Sequence, residues 1–223
     1  MTGKPDGISR RGVVGTAAVL AFGLGGAEAA MPGAGPSRIM LIRHAEKPKR
    51  GGGPPFGLGS DGRHDEHALL VEGWQRAGAL ARFFAPRDGS SPPAGIARPT
   101  FLVAAAPTAE HPSRRSVLTL APLAALTGLV PDTGFGPDQV EAAAAAVLRQ
   151  GGVGLVAWEH KRIADLVTAL TRGSVAPPHW SGGRFDMVLV LDRDGPRWRL
   201  TQVPQLLLAG DSAEPLPERR GDD

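Results

Sequence analysis

Three short runs of the chain are apolar at nearly every position: Arg38–Arg43, Thr100–Ala105 and Val153–Trp158. Runs of this length with few polar interruptions predict strands covered on both faces. Between them the period changes. Leu70, Trp74, Ala77, Ala81 and Phe84 recur at helical spacing, which predicts an amphipathic helix over 69–85 with that stripe, Trp74 included, against the core. Helices are also predicted over 114–127, 137–149 (through Ala142–Ala146) and about 161–172. Two further apolar runs, 186–191 and 198–203, flank Asp192-Arg193-Asp194-Gly195, a hairpin signal. Residues 51–67 are broken by Gly51, Gly53, Pro54, Pro55, Gly57, Gly59 and Gly62 and predict a loop, a mobile substrate lid. Strands alternating with helices predict a three-layer α/β/α sandwich with a mostly parallel central sheet, the first three runs being its interior strands. In such sheets ligands bind beyond the carboxyl ends of the strands.

Composition narrows the choice of chemistry. The 223 residues suit one domain with a tail. Twenty-five Lys and Arg against 22 Asp and Glu leave a net charge of +3, too little to mark a nucleic-acid surface, so no nucleic-acid partner is expected. The absence of cysteine excludes disulfides, thiolate nucleophiles and cysteine-ligated metals. At the N-terminus Arg10-Arg11 precede an uncharged stretch, Gly12–Ala27, and an A-x-A cleavage pattern, Ala27-Glu28-Ala29. That order predicts an export signal of the twin-arginine type over 1–29, with a general secretory signal or an uncut anchor as alternatives. The stretch is short for a spanning helix. A linker over 30–37, the main domain over 38–211 and a loose polar tail over 212–223 follow. The expected location is periplasmic or extracellular, without stable membrane association once the signal is cut.

Basic residues gather where the strand-end rule expects a site. The first strand ends in Arg43-His44-Ala45-Glu46-Lys47, the third runs into Trp158-Glu159-His160, and Ser113-Arg114-Arg115 open the helix after the second. Two imidazoles and two or three guanidinium groups on one rim suit phosphoryl transfer. Arginine offers paired donors to phosphate oxygens. A neutral imidazole is a competent nucleophile at phosphorus. A second imidazole can stabilise the transition state. Mutual repulsion among these cations should lower the imidazole pKa values.

The chain resembles the histidine phosphatase (phosphoglycerate mutase-like) superfamily. The resemblance lies in Arg43-His44 with Ala45-Glu46-Lys47; in Leu69-Leu-Val-Glu-Gly73-Trp-Gln-Arg76-Ala77; in Arg115-Ser-Val-Leu-Thr119-Leu-Ala-Pro122-Leu123; and in Trp158-Glu159-His160 before a helix. The RHAEK and WEH strings are similar to those of one bacterial branch. It covers about 38–211 and implies a role for each matched position. His44 would be the phosphorylated nucleophile. Arg43, Arg115 and His160 would complete the phosphate pocket. Lys47 would stand where some members place an arginine on the phosphate. The threonine spacing of the motif selects Arg115 over Arg114. The general acid is left open between Glu46 and Glu159, with Glu110, Asp65 and Glu66 as rivals. The expected activity is hydrolysis of phosphate monoesters, phosphoprotein and phosphohistidine included, on a small-molecule or protein substrate. The alternative is a catalytically idle, anion-binding member. No cofactor is implied, and no metal either, since His64, Asp65, Glu66 and His67 lack a helical ligand pattern.

Overall fold

The computed structural model describes residues 1–3, 35–49, 51 and 53–219. Arg10 to Ala29, which define the expected export signal, lie outside the described residues. The elements are β1 (Pro36–Arg43), α1 (Val71–Phe84), β2 (Phe101–Ala104), α2 (Arg115–Thr127), α3 (Val140–Leu148), β3 (Gly152–Trp158), α4 (His160–Thr171), β4 (Met187–Asp194) and β5 (Arg197–Pro204). Among the described residues no helix is long and apolar enough to cross a membrane.

The strands form one sheet in the order β2-β3-β1-β4-β5. β1, β2 and β3 run parallel, and the β4–β5 hairpin pairs antiparallel to β1 at the far side. Side chains alternate across the pleat and build two cores. Ile39 and Leu41 of β1 pack with Val140, Ala143, Ile163 and Leu166 of α3 and α4. Met40 and Ile42 pack with Leu80, Phe84, Leu120 and Leu123 of α1 and α2. Helices therefore cover both faces, and the domain is a three-layer α/β/α sandwich.

Several expectations are corrected in detail. β2 is an edge strand rather than an interior one. Its apolar run reflects burial by helices on both faces, and its free edge is partly occupied by Asp132, which exchanges hydrogen bonds with Ala104 and Leu102. The buried face of α1 is Gly73, Arg76, Ala77, Leu80, Ala81, Phe83 and Phe84; it shares Ala77, Ala81 and Phe84 with the expected stripe and is rotated toward Gly73, Arg76 and Leu80. Trp74 lies at its margin, half-buried, and its indole N–H donates to the Leu58 carbonyl at 2.9 Å. It thereby tethers the 53–69 segment. The hairpin turns at Gly195-Pro196, one step beyond the Asp-Gly pair, with Asp194 opposite Arg197. Residues 212–219 are docked, not loose. Leu216 is buried in the α3/α4 core, and the Gln202 side chain bonds both its N–H and its carbonyl.

One contact of α1 bears directly on the site. A Cβ on Gly73 would lie 2.6 Å from the Glu46 carbonyl oxygen and 3.1 Å from its nitrogen. Only glycine lets the helix press this closely on the turn after β1. Gly73→Ala should gain about 0.5–1 kcal/mol of helix propensity. It should lose more, about 1–3 kcal/mol, to overpacking against backbone. Denaturant unfolding should show net destabilisation, and the variant should lose any activity seated on His44.

Candidate active site

Parallel register brings the strand tips together. Arg43 lies opposite Trp158 on β3, so His44 and Glu159-His160 leave the sheet side by side. The His44 N–H donates to the Trp158 carbonyl at 3.1 Å. β2 flanks β3 on its other side, and Ala105 N–H continues that pairing onto Ala157 at 3.1 Å. The chain then loops through Pro112 and Ser113 into α2, which begins at Arg115. The three tips share the wall of a cavity of about 780 Å³ lined by His44, Lys47, Arg115, Glu159 and His160, among others.

His44 is 3% exposed. Its Nδ1 lies 2.8 Å from the Ala45 carbonyl oxygen. A carbonyl only accepts, so Nδ1 carries the proton and Nε2 keeps its lone pair. Burial lowers the His44 pKa to about 3, and the charges of Arg43, Arg115 and Lys47 push the same way against the bond to Ala45. His160 falls to about 4, again chiefly through burial, with Arg43 and Lys47 contributing. Desolvation is the largest single cause at both imidazoles, with the expected cationic repulsion acting in the same direction. The charges of Arg43 and Lys47 act on both imidazoles, Lys47 from the cavity wall and Arg43 from full burial, since Arg43 is not among the residues that line the cavity.

Arg43 is fully buried. Its Nη1 donates to the carbonyls of Gly182 and Arg184, both at 2.8 Å, and at 3.4 Å to that of Ser181. The guanidinium lies 3.8 Å from the centre of the Phe185 ring. Nε and Nη2 have no protein partner. Burial lowers its pKa to about 10, which leaves it charged at neutral pH. This carbonyl cradle had no sequence signal, because backbone acceptors are silent in side-chain identity. Arg115 donates through Nε to Ala68 at 3.0 Å, through Nη2 to the Glu66 carbonyl and through Nη1 to Ser113 at 3.3 Å. Arg114 turns away from the cavity to pair with Asp65.

The candidate acids part company. Glu46 does not line the cavity. It is buried, and its Oε1 accepts from Arg76 at 2.8 Å, while Arg76 also pairs with Asp211 at 2.6 Å. Glu159 does line the cavity, and its charge acts on both Arg43 and Arg115. Glu66 and Glu110 line it farther out, exposed. Asp138, on the same wall, is held below the usual carboxylate range by Arg162 and His111. The expected lid is tied down over 57–69 by Trp74, Arg114 and Arg115. Among the described residues no three His, Asp or Glu side chains group as a metal site.

No protein-family model matches the sequence, and no curated protein matches it. Solved structures resemble it. One is provisionally described as the phosphohistidine phosphatase SixA from Agrobacterium tumefaciens; it is 18% identical, covers 78% of this chain and 97% of its own, and has a TM-score of 0.41. A phosphoserine phosphatase variant from Entamoeba histolytica, in complex with phosphoserine, is 11% identical over 77% of this chain and 98% of its own, with a TM-score of 0.45. The Rv3214 product from Mycobacterium tuberculosis is 14% identical over 74% and 95%, with a TM-score of 0.38. Likenesses this distant leave the chemistry to this chain's own side chains.

The depressed imidazoles predict an acid-sensitive fold. His44 stays neutral in the folded protein down to about 3, and His160 to about 4, whereas both start from 6.5 unperturbed. Between those values the unfolded state binds more protons. Stability should therefore be fully present above 6.5 and fall as the pH drops through the window toward 4. Urea titrations from neutral pH down to about pH 5 should show this fall, and it should be shallower in His44→Gln.

Proposed function

We propose that the chain is a phosphatase of the histidine phosphatase superfamily, hydrolysing phosphate monoesters by double displacement at His44. The observation that carries this is the bond from His44 Nδ1–H to the Ala45 carbonyl, which leaves a bare Nε2 in a cavity shared with Arg115, Lys47 and His160. The RHAEK and WEH strings favour the bacterial branch that carries them. The Arg10-Arg11 signal favours export by the twin-arginine route to the periplasm or beyond. The substrate class includes phosphoproteins and phosphohistidine, and a mutase is disfavoured because an exported protein would not meet glycolytic intermediates.

The steps follow from the groups at hand. The Nε2 lone pair attacks phosphorus as the bond to the leaving oxygen breaks. Positive charge developing on the imidazole is shared through Nδ1–H with the Ala45 carbonyl. Arg115 and His160 donate to the phosphoryl oxygens, and Arg43, fully buried, adds its positive charge. Once the substrate's charge occupies the guanidinium groups, Glu159 takes up a proton that it gives to the leaving oxygen, and its carboxylate then takes one from water. Water oxygen bonds phosphorus, the nitrogen–phosphorus bond breaks, and phosphate leaves with His44 neutral again.

An aryl phosphate assayed without added metal should be hydrolysed, with inorganic phosphate and vanadate as competitive inhibitors. His44→Ala should abolish turnover, and Arg115→Ala or His160→Ala should cost about 10²–10³ in rate. Glu159→Gln should slow substrates with poor leaving groups most. A wild-type protein that binds phosphate yet turns over no monoester would replace this proposal with the idle, anion-binding alternative.

A further inference from the structure

Thr119 is buried one turn into α2 and is spent on two backbone groups. Its hydroxyl donates to the Arg115 carbonyl at 2.7 Å, within its own helix. With the hydroxyl proton so placed, an oxygen lone pair is free to accept, and the Ala45 N–H donates to it at 2.9 Å. One hydroxyl thus joins the backbone of the residue after His44 to the backbone of Arg115.

The consequence lies in the turn after β1. The 44–45 peptide is held at its N–H by Thr119. The 46–47 peptide is held at its carbonyl, which accepts from Leu70 N–H at 3.0 Å. Gly73 lets α1 close on the same residue. The peptide between them carries the Ala45 carbonyl, so it has little room to rotate. That carbonyl is the group that keeps the proton on His44 Nδ1. If it turned away, Nδ1–H would lose its acceptor, and the proton could move to Nε2, blocking the nucleophile.

We propose that Thr119 is a positioning residue that holds His44 in the Nδ1–H tautomer and sets the spacing between His44 and Arg115. It touches neither phosphate nor leaving group, and it acts through Ala45. Its catalytic consequence rests on the phosphohistidine reading above, but its effect on the tautomer does not.

The test uses full-length protein with nitrogen-15-labelled histidine, with the His44 signals identified by their loss in His44→Gln. Wild type near neutral pH should show a protonated Nδ1 and a bare Nε2. Thr119→Val keeps the shape but removes the acceptor; it should give a mixed or reversed tautomer and slow phosphoryl transfer about 10²-fold, the scale of a misplaced reacting group. Thr119→Ser should restore both. If valine does not fold, Thr119→Ala removes the same acceptor while leaving space and gives the same readout. A protonated Nε2 in wild type, or an unchanged tautomer and rate in the valine and alanine variants, would overturn the proposal. A tautomer that responds as expected in a protein that never phosphorylates His44 would uphold the positioning role and reject the phosphatase reading instead.

Discussion

The cavity depends on keeping one imidazole neutral, oriented and nearly dry among several cations. Burial does the first task, since desolvation is the largest cause of the fall of His44 to about 3. The Ala45 carbonyl does the second, because it assigns the proton to Nδ1. The same carbonyl also raises the pKa, so the two effects oppose each other, and burial wins. Every element near the turn serves that arrangement. β3 accepts the His44 N–H, α1 closes on Glu46, and α2 holds Ala45.

Arg43 shows what the site costs. A buried guanidinium is expensive unless every N–H finds an acceptor. Here Nη1 is satisfied by backbone carbonyls and the face by Phe185, but Nε and Nη2 are left without protein partners. The electrostatic relief comes from Glu46 and Glu159, neither of which bonds it. Both atoms are buried and Arg43 is not among the residues that line the cavity, so it acts on the two imidazoles through its charge. In contrast, Arg76 has carboxylate partners on two sides and needs nothing further.

The sequence was most informative where side chains repeat or break a pattern. All three parallel strands could be read from their apolar runs, and their common direction put Arg43, His44, Arg115 and His160 at one end of the sheet. Strand order was less visible, because β2 is covered by helices on both faces and looks like an interior strand in composition alone. The α1 stripe was rotated because Arg76, a charged residue, is buried by paired carboxylates, while Trp74 uses its indole N–H to hold a loop. The same pairing removed Glu46 from the candidate acids. Leu216 anchors a segment whose polar composition suggested a loose end. The cradle around Arg43 and the bond to Ala45 are made by carbonyls, which every residue has.

In the proposed reaction His44 accepts phosphate through its bare Nε2. The direct measurement is rapid-quench trapping of a radiolabelled phosphate monoester on the full chain, followed by peptide mapping. Acid-labile, base-stable label should appear on His44 no more slowly than product. Turnover without label, or label on any other residue of an active preparation, would contradict this reaction.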